Sequence, residues 1–170
     1  MNYKIIDFKP KILKKYFDLK VREMCKSCKR YSYKASCPPY IESVDYYKKW
    51  LPTFKQGKLV IYKFKLSKKD IKNWEELGKK SSLDLSDYLL KSRNNLMKEG
   101  HWFVIVYGAG SCKNCQKCSF PCRFPNKAIT PFEGTGVNIV KLMKDLAKIE
   151  LKYPVEKFKE FFRIGVILYD

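Results

Sequence analysis

Histidine is almost missing from this chain: its 170 residues include one, His101. No hydrolytic triad can be drawn from the residues present. Acidic side chains are also scarce, 17 against 36 Lys and Arg, which leaves a formal net charge of +19. No stretch approaches the roughly 20 apolar residues that a bilayer-spanning helix requires, so no membrane span is expected. The opening residues, Met1 to Lys11, hold no apolar run of the kind a secretory signal uses. Phosphate-cradling G-x-G-x-x-G and G-x-x-x-x-G-K-[ST] runs are absent, and so is the radical-initiating C-x3-C-x2-C run. The glycines of Glu133-Gly-Thr-Gly136 therefore read as a tight turn before a helix. No repeat or low-complexity segment stands out.

These absences point to a cytoplasmic, reducing setting, where clustered cysteines read as metal ligands rather than disulfides. The chain has seven cysteines. With 45% hydrophobic and 15% aromatic residues it has the material for a real core, so bound metal need not be its only source of stability. A single domain over 1–170 is expected.

Four cysteines lie within eleven residues: Cys112, Cys115, Cys118 and Cys122, spaced C-x2-C-x2-C-x3-C. Each short step returns a thiolate to the same side of the loop, and bacterial ferredoxins use this spacing to wrap cubane iron–sulfur clusters. The ferredoxin run ends Cys-Pro, whereas here Pro121 precedes the last cysteine. Zinc is the alternative, since tetrahedral thiolate sites also use C-x2-C pairs. A second group is Cys25-x2-Cys28, then Cys37-Pro38-Pro39, whose prolines fix φ and stiffen the end of the loop. Two cubanes need eight ligands and seven cysteines are available, however they are shared. The odd iron would be closed by a carboxylate or His101, by water, sulfide or substrate, or by a partner; otherwise it would be lost, leaving a three-iron or labile cluster. Glu133, which follows the cysteine loop, is the first carboxylate to test. His101, heading an apolar strand, reads as structural. Lys26, Lys29, Lys113, Lys117 and Arg123 flank the thiolates and favour their anionic form.

Periodicity predicts helices over about 10–19, 42–55, 68–79 and from Asp84 or Ser86 to Gly100, and a last one from Val137 to Ile149. Ser67 with Asp70 reads as a helix start, and Gly57 as the stop of the 42–55 helix. Strands are expected over 59–66, 101–107 and 163–169. The apolar run at 101–107 is continuous, as in a strand covered on both faces. The fold class is α+β (or α/β), a small central sheet of three to four strands flanked by helices, with two cysteine-rich loops brought together in space.

Taken jointly, Cys25-x2-Cys28, Cys37-Pro38-Pro39, Gly110-Ser-Cys112-x2-Cys115-x2-Cys118, Pro121-Cys122-Arg123-x-Pro125 and Pro131-x-Glu133-x-x-Gly136-Val-Asn138 resemble the metal-binding proteins of domain of unknown function 2284. The resemblance runs from about residue 20 to 169 and implies metal or iron–sulfur binding without a specified reaction. Where that pattern carries an acidic residue after its Gly-Val step, this chain has Asn138.

Three functions follow. The first is electron transfer by two [4Fe-4S] clusters, with the positive charge favouring an acidic redox protein as partner. The second is an enzyme whose open iron acts as a Lewis acid or sulfide site on a thiolated small molecule or an RNA base. The third is a structural metalloprotein that binds nucleic acid through stretches such as Lys29-Arg-Tyr-Ser-Tyr-Lys34.

Overall fold

The computed structural model describes residues 3–67, 70, 72–151 and 160–170. Its frame is one five-stranded sheet: β1 (Tyr3–Phe8), β2 (Gln56–Lys65), β3 (Val104–Gly108), β4 (Thr130–Pro131) and β5 (Glu160–Tyr169). The spatial order is β1-β2-β5-β3-β4. All neighbours run antiparallel except β3 and β4, which are parallel. The last strand thus lies in the middle, with Val166 opposite Leu59 on one side and Tyr107 on the other. Strands β2 and β3, both antiparallel to β5, are parallel to each other, so the segment between them is the expected crossover.

Alternation along the inner strands builds two cores. Leu59, Ile61, Tyr107, Val166 and Leu168 face one side and meet Leu13, Tyr47, Leu51, Phe132, Leu142 and Met143. Val60, Val106, Ile167 and Tyr169 face the other and meet Leu85 and Leu89. The sheet is therefore covered on both faces, as the continuous apolar runs implied, and the class is α+β.

Among the described residues four α-helices flank it: α1 (Leu19–Glu23), α2 (Val44–Trp50), α3 (Trp74–Lys98) and α4 (Ile139–Leu142). Ser43 caps α2 by accepting from the Tyr46 N–H. Ser67 and Asp70 bond reciprocally as a capping pair. The two helices expected between 68 and 100 differ from what is observed. Residues 68, 69 and 71 lie outside the described set, and Trp74–Lys98 is one helix of 25 residues. The serines between the two expected helices are helical and bonded. Ser82 Oγ donates to the Ala109 carbonyl at 3.3 Å, and Ser81 Oγ accepts from Arg163 Nε at 3.0 Å. Gly100, at φ +99°, ends the helix as expected.

Other expectations shift. The 10–19 stretch is a 3-10 turn, Pro10–Lys15, followed by α1, whose cap is Asp18. The 42–55 helix ends in a 3-10 turn at Leu51–Thr53, and Gly57 sits inside β2, where the Phe8 ring fills the space of a Cβ. The final helix is α4 followed by a wider π-helical turn, Met143–Ala147, and Val140 is exposed. Strand β3 starts only at Val104; Trp102 is 89% exposed. The sheet has five strands rather than three or four, because β1 and the two-residue β4 were not expected.

Gly165 packs at the centre of this arrangement: a Cβ there would lie 2.8 Å from Leu89 Cδ1 and 3.2 Å from the Tyr107 carbonyl oxygen. Gly165→Ala is expected to lower stability by about 1–3 kcal/mol, read as an earlier midpoint in anaerobic chemical denaturation. An unchanged midpoint would mean that α3 shifts off β5 freely.

Candidate metal centre

The first cysteine loop leaves α1 through a 3-10 turn, Met24–Ser27, which carries Cys25. Successive backbone turns then bend the chain. The Cys28 N–H donates to Cys25 O at 3.1 Å, Tyr31 N–H to Cys28 O at 2.9 Å and Cys37 N–H to Lys34 O at 2.9 Å. Ser32 N–H reaches forward to Pro38 O at 3.1 Å and closes the loop on itself. Cys37 ends up buried, Cys25 half-buried and Cys28 exposed. Burial pushes the Cys37 thiol up to about 11, and the negative charges of Cys28, Glu133 and Cys25 act in the same direction. Burial also raises Cys25; after it, the largest effect comes from Glu133, ahead of Arg22 and Cys28. These cysteines and Glu133 are therefore close enough to act on one another's ionisation.

The second loop leaves the end of β3. Gly108 passes against the Ile129 side chain, and Gly110 takes φ +70°, a turn a side chain would strain. Cys112, Cys115, Cys118 and Cys122 then line one narrow cavity, with Lys34, Ala35 and Ser36 of the first loop also in its wall. The two loops are bonded here. The Ala35 N–H donates to Cys118 Sγ at 3.4 Å, and Lys34 Nζ donates to the Cys115 carbonyl at 3.0 Å. The Tyr40 and Phe120 rings add a contact at 4.3 Å between centroids. A second backbone N–H, from Arg30, points at Cys28 Sγ at 3.4 Å. Hydrogen bonds to sulfur are among the levers that set a cluster's potential. Among the described residues, no three His, Cys, Asp or Glu side chains form a group placed to hold a single metal ion.

Glu133 joins the two loops from below. It begins the 3-10 turn Glu133–Thr135 after β4 and is half-buried, with Oε2 shut off from solvent. Oε1 accepts the Gly110 N–H at 2.9 Å, while Oε2 has no hydrogen-bond partner. Burial raises its pKa, which its own backbone N–H, the Gly110 bond and the Arg163 charge partly offset. His101, by contrast, lies before the start of β3, whereas the cysteines follow its end. Its Nδ1 is 3.4 Å from Asp170 Oδ1 and its ring packs edge-on to Tyr169, a structural role.

Three basic residues shape the site in ways that pattern reading did not show. Lys34 ends a loop stretch read as a candidate nucleic-acid contact, yet it is 7% exposed. Arg163 reaches across from β5 to Ser81 Oγ and the Gly78 carbonyl. Arg22 donates to the carbonyls of Gly134 and Ile41, holding the Glu133 turn against the Cys25 helix. No periodicity marks such residues; only their placement reveals them. Arg30, Lys34, Lys79, Lys113 and Arg163 line an open cleft of about 930 Å³ beside Cys115, with Glu75 and Glu76 on its far wall. Burial lowers the Lys113 amine, and the charges of Arg30, Arg163 and Lys34 lower it further.

The family model described as "Predicted metal-binding protein (DUF2284)" matches residues 12–169, nearly the whole chain. No curated protein and no solved structure matches it. Among the described residues, no helix is long and apolar enough to cross a membrane.

Lys34→Met keeps the aliphatic stem and removes the charged bond to Cys115. It should cost about 1.5–3 kcal/mol and speed amide exchange in both 29–37 and 112–122. Exchange that rises in one loop alone would separate the loops and contradict their coupling.

Proposed function

The chain belongs to this predicted metal-binding family, and from that premise we propose that it is an electron-transfer protein binding two [4Fe-4S] clusters. Cys112, Cys115, Cys118 and Cys122 would hold one; Cys25, Cys28 and Cys37 would hold the other. The observation that carries the reading is the wall shared by the two loops: four cysteines around one cavity, with Lys34, Ala35 and Ser36 of the other cysteine loop in the same wall. A single zinc would instead draw its sulfurs to about 2.3 Å from one point. The donor chemistry fits clusters further, because N–H groups already face Cys28 Sγ and Cys118 Sγ.

When bound, such clusters store and release single electrons. The rest is the work of the chain's own residues. Placing the loops side by side favours passage of an electron between them. Lys34, Lys113 and Arg30 lie beside the cysteine loops and would offset the negative charge of a bound cluster, which raises the potential at which an electron is accepted. The basic cleft beside Cys115 suits docking of an acidic redox protein, by electrostatic steering rather than by area.

Anaerobic iron and sulfide analysis tests this reading. About eight of each per chain are expected, from two four-iron clusters, both reducible in one-electron steps. Cys37→Ser should leave about four irons. Zinc in place of iron, or a Cys37→Ser protein with unchanged iron, would contradict it.

A further inference from the structure

Glu133 holds a buried carboxylate whose two oxygens are treated differently. Oε1 is fixed by the Gly110 N–H at 2.9 Å; Oε2 is buried and meets no donor. Buried polar atoms without partners are rare, and an unpaired carboxylate oxygen is among the most costly. Arg163 offsets the charge from a distance but does not bond the carboxylate. That guanidinium is engaged by Ser81 and Gly78, and no ion pair within 4 Å joins Glu133 to a cation among the described residues. The position is held from several sides. The Asp18 N–H donates to Gly136 O at 2.8 Å and the Asn138 N–H to Tyr16 O at 2.7 Å, while Arg22 grips the Gly134 carbonyl. These bonds lock the Glu133 turn against the segment that leads into Cys25 and Cys28. The charge of Glu133 consequently acts on both Cys25 and Cys37.

We infer that Glu133 Oε2 is the non-cysteine ligand that closes the cluster held by Cys25, Cys28 and Cys37. The inference rests on the two-cluster reading and supplies the eighth donor that seven cysteines lack. Coordination uses the carboxylate, whose Oε2 donates a lone pair to iron; no electron moves. The same carboxylate then spans both sites, with Oε1 on the backbone at the entrance to the 112–122 loop and Oε2 at the N-terminal trio. An oxygen donor is harder than a thiolate and holds iron less firmly. The Glu133 corner is therefore the one expected to lose iron first on oxidation.

The test uses the full chain purified anaerobically, as wild type and as Glu133→Gln, Glu133→Asp and Glu133→Cys. Mössbauer spectra of the wild type should contain one iron subsite with oxygen ligation among about eight irons. Glu133→Gln keeps the acceptor for Gly110 but removes the anionic donor. It should fall to about seven irons and show the paramagnetic signal of a three-iron cluster as isolated. Glu133→Cys should restore the full iron count and abolish the oxygen-ligated subsite, and Glu133→Asp should behave between wild type and Glu133→Gln. If the wild type carries about four irons or none, the two-cluster reading fails and this inference with it. If the wild type carries about eight but Glu133→Gln gives superimposable Mössbauer and paramagnetic spectra, Glu133 is not a ligand and the two-cluster reading stands. The wild-type spectrum alone decides the matter if a variant does not fold: all-sulfur ligation at every iron overturns the assignment.

Discussion

A buried ammonium group joins the two halves of the site. Lys34 is nearly inaccessible, and its Nζ donates to the Cys115 carbonyl. Taking an ammonium out of water is costly unless nearby charge or hydrogen bonds compensate it. One carbonyl is poor compensation, and Lys113, Arg30 and Arg163 add positive charge close by. The arrangement makes physical sense if strongly negative groups sit on the other side of that wall. The surrounding cysteines, once ionised and loaded, are such groups. The same cations that make the empty site costly then become part of what holds it together.

The sheet supplies the platform. Because β5 returns to the middle, it buries both its faces and anchors elements from opposite ends of the chain. Arg163, on this strand, reaches the carbonyl end of β3 and the early turns of α3, so the strand that completes the core also carries a buried cation to the edge of the site. Strand β4 contributes only two residues. They pair with the last residues of β3, Tyr107 and Gly108, and the Phe132 N–H bonds back to Gly108 O at 2.8 Å. This short parallel pairing brings Glu133 beneath Gly110. Removing it from the sheet would cost little core and much of the site.

What could be read from the chain, and what could not, divides along physical lines. Cysteine spacing is a local constraint, so both cysteine loops were visible, and so was the tight turn at Gly136. Continuous apolar runs report burial on two faces, and the inner strands β2, β3 and β5 were recognised. Strand β1 was missed because an edge strand with alternating exposed residues has little apolar signal. Residues 74–98 were divided because Asp84 or Ser86 resembles a helix start. In the folded chain the serine hydroxyls of this stretch find partners in the sheet or on helix carbonyls, and leucines four residues apart, Leu85 and Leu89, are enough to dock the helix. The buried positions of Lys34, read only as a candidate nucleic-acid contact, and of Arg163 were not legible because a basic residue among many basic residues has no pattern. Their roles exist only in three dimensions.

The two cysteine groups are not equivalent, and the difference follows from where they sit. Cys37 is buried with its thiol pushed up to about 11, and Cys25 is raised by burial and by the Glu133 charge. At neutral pH these thiols are held in the protonated state unless a cation takes the place of the proton. In the proposed assignment, metal binding at the N-terminal group would be coupled to proton release and favoured as pH rises. The 112–122 set differs in kind, since it lies on one short loop springing from an inner strand and needs no distant segment to bring its own members together. The N-terminal trio depends on α1, on the Arg22 clasp and on the Glu133 turn. Assembly in that order, the local set first and the distributed set after, is what the fold favours. It also makes the distributed site the place where loss of metal would be felt by the rest of the chain.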